Sequence, residues 1–226
     1  MRHANNFFAF EGSDATGKAT QTNLLKERLE KEGRQVRVTS SPRCKEISAQ
    51  GVVSYLAGAF GPATELNPYI AVPFFSHDRF HAGHEVCRWV MNGYDVVADR
   101  WTLSNIAHQA AKMEREDLEE FAQWVDDYEH ERLAIPRPFY LILYLPSGAS
   151  QNLIEKRAAQ EGGSLDGHES NPRYLEKTLW LYQALHKLYP LSANIDCSDD
   201  KQKLLSPEAI HEKVWQVVQP RLVAPS

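Results

Sequence analysis

At 226 residues, 42% hydrophobic and 24% charged, the chain is long enough to bury one sizeable core and lies far from the composition of disorder. Its 25 basic and 30 acidic side chains leave a formal net charge of −5 with no cationic block, so a nucleic-acid partner is not expected and any anionic ligand must be held by local geometry. The three cysteines, Cys44, Cys87 and Cys197, lack CxxC spacing, which argues against a disulfide framework or a zinc site and for a reducing compartment, the cytoplasm.

In chain order, Phe7 to Phe10 is an apolar run of strand length, too short for a signal-peptide core or membrane segment, and it leads straight into Gly12. Lys18 to Glu32 follows helical spacing, with Leu24, Leu25 and Leu29 on one face and Gly33 as its stop. Gln35 to Thr39 alternates as a second strand, Ser40-Ser41-Pro42 turns the chain, and helices fall within 46–58 and 67–92. Tyr94 to Ala98 reads as a strand delivering Asp99-Arg100. Two helices fill 102–132, where Leu118, Phe121, Trp124, Val125 and Tyr128 recur at helical spacing, and Pro136 and Pro138 close the stretch.

Phe139 to Leu145 is continuously apolar, as suits a strand covered on both faces of a parallel sheet. Leu153 to Ala159 continues as a helix, Gln160 to His168 is small, polar and glycine-containing and reads as a mobile lid, and Tyr174 to Leu188 is helical. Ala193 to Asp196 forms a last strand, and Ser206-Pro207-Glu208 opens a terminal helix that Pro220 ends. The alternation predicts a single domain over 1–226 of the α/β class: three layers, α/β/α, around a central five-stranded parallel sheet with right-handed crossovers.

Gly12-Ser13-Asp14-Ala15-Thr16-Gly17-Lys18 satisfies GxxxxGK directly after a strand and before a helix. Glycines let successive backbone N–H groups turn inward on phosphate oxygens, the helix N-terminus adds its positive end, and Lys18 supplies a point charge. The next residue is Ala19 where a Ser or Thr hydroxyl usually ligates Mg²⁺. Either Thr20 or a water takes that place, or the metal is held mainly by phosphates and Asp99. Asp99-Arg100 at a strand end projects a carboxylate and a guanidinium over the carboxyl edge of the sheet, where open α/β folds bind ligands. There they are placed to hold a metal shell and to neutralise charge on a transferring phosphoryl group.

Together these ordered residues resemble the thymidylate kinase family, P-loop nucleoside monophosphate kinases, over about Phe7 to Val218, and Lys18-Ala19-Thr20-Gln21 is similar to a bacterial subgroup of it. The resemblance implies transfer of the γ-phosphate of MgATP to dTMP, giving dTDP and ADP. It places ATP on Gly12 to Thr20, with Arg157 just ahead of a lid at about 158–169 and with Cys197 in the loop along adenine. It places dTMP on Asp14, Arg43, Phe75, Arg79, Arg100, Ser104, Asn105, His108, Glu169 and Tyr174: Arg43 at the acceptor phosphate, Phe75 stacked on thymine, Arg79 and Asn105 at the base edge, His108 near the sugar. Lys18, Asp99, Arg100, Asp14 and Arg157 carry catalysis, Asp99 and Thr20 the metal, and relatives are commonly homodimers. The sequence departs from the family in Trp101 for tyrosine and in the absence of Arg and Lys from 158–168. That leaves Arg100, Arg157 and Arg173 to stabilise the transition state. Alternatives are a kinase for another nucleotide or deoxynucleoside, or a nucleotide-binding homologue with weak turnover.

Overall fold

The computed structural model describes residues 6–14, 16–145 and 172–223, with backbone alone for 172–176. The expected helix Leu153 to Ala159 and the lid lie outside the described residues. Five strands form one sheet: β1 (Phe7–Glu11), β2 (Val36–Ser40), β3 (Asp95–Asp99), β4 (Phe139–Tyr144) and β5 (Ser192–Asp196). Their order is β2-β3-β1-β4-β5 and every pairing is parallel, Phe10 lying opposite Asp99 on one side and Leu141 on the other. β1 is central and every residue of it is buried, which is why its sequence is apolar without alternation.

Among the described residues the helices are α1 (Lys18–Lys31), α2 (Gln50–Leu56), α3 (Pro68–Met91), α4 (Thr102–Ala110), α5 (Leu118–Asp126), α6 (Pro172–Leu188) and α7 (Pro207–Val218). They split between the two faces of the sheet. Phe8, Phe10, Val97 and Leu141 pack on Leu25 and Leu29 of α1 and on Val214 and Trp215 of α7. Phe7, Ala9, Val96 and Ile142 pack on α3, α4, α5 and α6 through residues such as Val86, Ile106, Phe121 and Leu185. The three-layer α/β/α sheet read from the alternation is the architecture observed.

Capping explains several boundaries. Asn67 accepts from the Tyr69 backbone N–H (2.9 Å) ahead of Pro68, and Ser206 accepts from that of Ala209 (3.2 Å) ahead of Pro207. Elsewhere the structure shifts the expected limits. A 3₁₀ turn, Ile47–Ala49, precedes α2; Pro220 sits in a 3₁₀ turn after α7; and α5 runs on into Asp127–Arg132, which falls in the stretch read as helical but winds as a π-helix.

Candidate active site

The phosphate loop follows β1 at the sheet's switch point, the place where neighbouring crossovers diverge. Gly12 has φ 140°, and a Cβ there would meet the Leu143 carbonyl oxygen at 2.5 Å, so only glycine lets the loop lie this close to β4. Gly17 adopts a left-handed φ of 83° and turns the chain into α1. Thr16 Oγ1 donates to Ser13 O (2.8 Å), and Lys18 Nζ donates to Gly12 O (3.0 Å) and Ser13 O (2.7 Å). Lys18 is thus folded back over its own loop. Burial, then the nearby Arg100 charge, lowers its pKa to about 7 against the pull of Asp14, Asp99 and Glu11.

Arg100 follows β3 with φ 67°, a strained conformation for a non-glycine residue, and its N–H donates to Phe10 O (2.9 Å). The turn carries its guanidinium across the sheet edge onto the Asp14 carboxylate, and Nη1 lies 3.4 Å from His108 Nε2. Burial works to raise the Asp14 pKa, but Arg100, followed by His108 and Lys18, outweighs it and holds the carboxyl well below the usual range. Beneath this pair, Glu11 is fully buried. It accepts from the Trp101 N–H (2.8 Å) and from Ser104 Oγ, which lies 3.0 Å from Tyr182 Oη, and burial raises its pKa against those donors.

A cavity of about 150 Å³ opens beside the loop. Asp14, Arg100, Ser104 and His108 line it together with Phe75, Arg79 and Asn105, so most of the residues expected to meet the acceptor converge on one space. Pro42, Tyr55 and Leu56 complete its apolar wall, Tyr55 meeting Phe75 edge to face at 5.7 Å.

Three of the expected residues sit outside this cavity. Arg43 does not line this cavity: its guanidinium bonds Asp78 Oδ1 (3.2 Å), Glu85 Oε1 (3.3 Å) and Ser48 Oγ (3.2 Å), because α3 sets those acids beside it. Cys197 is fully buried in the core under α7, with its pKa pushed up to about 12 by burial and by Asp196, so its side chain packs in the core. Thr20 is exposed on α1, whereas Ala19 and Thr22, one helical turn apart, share an open groove with Asp99. The helix therefore turns Thr22, not Thr20, toward the Asp99 side. Asp99 Oδ1 is buried without a hydrogen-bond partner among the described residues, and a bare carboxylate oxygen suits a hard cation such as Mg²⁺. Ala15, Arg157 and Glu169 lie outside the described residues, as does the side chain of Tyr174.

Sequence reasoning missed Glu11 and Glu129. Glu11 carries a signal, a lone acid closing an otherwise apolar strand. Glu129 carries none, since it lies in the mixed charged run 126–132. Yet it is fully buried and accepts from Arg79 Nε (2.9 Å), Ser76 Oγ (2.7 Å), Thr102 Oγ1 (2.8 Å) and Asn105 Nδ2 (3.1 Å).

A glycine loop with its lysine at the switch point of a parallel α/β sheet, next to an acceptor cavity that shares Asp14 and Arg100 with it, defines a nucleotide-binding phosphotransferase. A family model described as Thymidylate kinase matches residues 10–200. A thymidylate kinase of Mycobacterium tuberculosis is 29% identical over 181 residues, 78% of this chain and 84% of the relative. One of Bifidobacterium longum is 31% identical over 121 residues, 52% of this chain and 59% of the relative. The solved thymidylate kinase of Candida albicans shares the fold, with TM-score 0.70 at 18% identity, covering 94% of this chain and 90% of that one. The chain belongs to the thymidylate kinase family.

Proposed function

We propose that the protein transfers the γ-phosphoryl group of ATP to the 5′-phosphate of dTMP, giving dTDP and ADP. The observation that carries this reading is that Asp14 and Arg100, anchored on the phosphate loop and the sheet edge, line the same cavity as Phe75, Arg79 and Asn105. A donor site and an aromatic, polar-edged acceptor site thereby share a wall. In the reaction an acceptor phosphate oxygen, ionised near neutral pH, bonds to the γ-phosphorus as the bond to the β,γ-bridging oxygen breaks and ADP leaves. No strong general base is required.

The chain's own work is positioning and charge neutralisation. Lys18, within 3.0 Å of two loop carbonyls, transfers its donors to the nucleotide phosphates when these fill the loop. Arg100 spans the acceptor cavity and the loop, and Asp14 keeps its guanidinium oriented. Phe75 offers its ring face to a base, and His108 sits beside Arg100 where the acceptor sugar would lie. Asp99, whose Oδ1 is buried without a partner among the described residues, would hold Mg²⁺, which when bound would supply charge compensation between phosphates.

No described helix is long and apolar enough to cross a membrane. Free thiols at Cys44, Cys87 and Cys197 fit a cytoplasmic location, and a homodimer rests on the family likeness alone. A coupled assay with ATP, Mg²⁺ and a panel of nucleosides and monophosphates tests the assignment. Preference for dTMP is expected; preference for dCMP or for unphosphorylated thymidine overturns it. Tight binding of ATP and dTMP without dTDP formation would identify a binding homologue instead.

A further inference from the structure

Glu129 is fully buried in the π-helical segment after α5, yet its carboxylate is saturated with donors from elements far apart in sequence. Oε1 accepts from Ser76 Oγ (2.7 Å), Asn105 Nδ2 (3.1 Å) and Arg79 Nη2; Oε2 accepts from Arg79 Nε (2.9 Å) and Thr102 Oγ1 (2.8 Å). The Arg79 and Asn105 nitrogens can only donate, which suits an ionised carboxylate. Burial tends to raise its pKa, but the Arg79 charge and these donors outweigh burial and lower it.

Two of the partners, Arg79 and Asn105, line the acceptor cavity. The Asn105 amide nitrogen is committed to Glu129 and to Val72 O (3.4 Å), so a flipped amide would set its oxygen against two acceptors. Its oxygen, Oδ1, is left buried with no partner among the described residues. Arg79 is gripped through Nε and Nη2, and Nη1 donates to Ser41 Oγ (2.9 Å), leaving N–H groups on a guanidinium that cannot rotate. Two polar side chains that line the cavity, Asn105 and Arg79, are therefore each held in one orientation.

We propose that Glu129 is a specificity-determining positioning residue: by locking the Asn105 amide and the Arg79 guanidinium, it makes the cavity read an imide edge. Thymine and uracil present such an edge, an N3–H donor beside a C4 carbonyl acceptor. Cytosine presents the reverse, an acceptor at N3 beside an amino donor, and meets a mismatch at both positions. The inference rests on the cavity being the acceptor-base site.

The test is the ratio of kcat/KM for dTMP to that for dCMP, measured on one preparation, because the fraction of folded enzyme cancels from it. Glu129→Gln is isosteric, but it brings N–H groups into a shell of donors and lets the Asn105 amide turn over. Its ratio is expected to fall at least about tenfold while KM for ATP is unchanged. Thr102→Val removes a different donor of the same carboxylate and is expected to lower thermal stability with the ratio intact. Should Glu129→Gln not accumulate as folded protein, Glu129→Asp, which keeps the charge but retracts it by one methylene, is expected to show a smaller fall. A wild-type ratio in the folded variants overturns the proposal, as does an equal fall in Thr102→Val. A wild-type enzyme that does not prefer dTMP over dCMP instead overturns the functional reading on which the proposal stands.

Discussion

Binding of ATP should draw a proton onto Lys18, and the amount is set by the site itself. In the free loop Lys18 is buried over Gly12 O and Ser13 O, and its pKa of about 7 leaves it largely neutral in mildly alkaline solution. Phosphate oxygens filling the loop favour the charged form and return the pKa toward its ordinary value. The sign follows: the free state has the lower pKa, so binding takes up protons above pH 7, and affinity weakens as pH rises through and beyond that value. Uptake is expected to be larger at pH 8 than at pH 7, and affinity to fall by up to about tenfold per further pH unit. Isothermal titration in two buffers of different ionisation enthalpy measures the uptake. Lys18→Ala, titrated at saturating nucleotide, subtracts protons that belong to ATP or to other groups. That variant should also lose at least about 10²-fold in turnover with its fold intact, as checked by circular dichroism. Equal uptake by wild type and Lys18→Ala at pH 8, or near-normal turnover in the variant, would refute the reasoning.

Arg100→Ala deletes the cation shared by the loop and the cavity, so kcat/KM for dTMP should fall by about 10²-fold or more in steady-state kinetics. Asp99→Asn removes the charge of the carboxylate whose Oδ1 is buried and unpartnered among the described residues; the Mg²⁺ concentration giving half-maximal activity should rise by about tenfold or more. Gly12→Ala forces a Cβ to within 2.5 Å of Leu143 O at a φ of 140°, so thermal or urea denaturation should show a loss of about 1–3 kcal/mol.

The phosphate loop, the five strands and the main helices were legible because each is written in neighbouring residues. Glycines fall where left-handed turns are needed, apolar runs where strands are covered on both faces, and capping residues where helices begin. The motifs that carry the family resemblance are equally local, and most of their residues meet at one cavity. The remainder depended on which elements pack together. Glu129 lies 50 residues from Arg79 and Glu11 lies 93 from Ser104, separations that no periodicity spans. That Arg43 pairs with Asp78 and Glu85 of α3, and that Cys197 is buried under α7, was not readable from local pattern. One helical turn separates Ala19 from Thr22, and that rotation selects which threonine shares the Asp99 groove. Local pattern determined which residues bear the chemistry of phosphate and base. Tertiary packing alone decided which of them are held in place by buried acids, because burial and long-range contact are properties of the assembled layers.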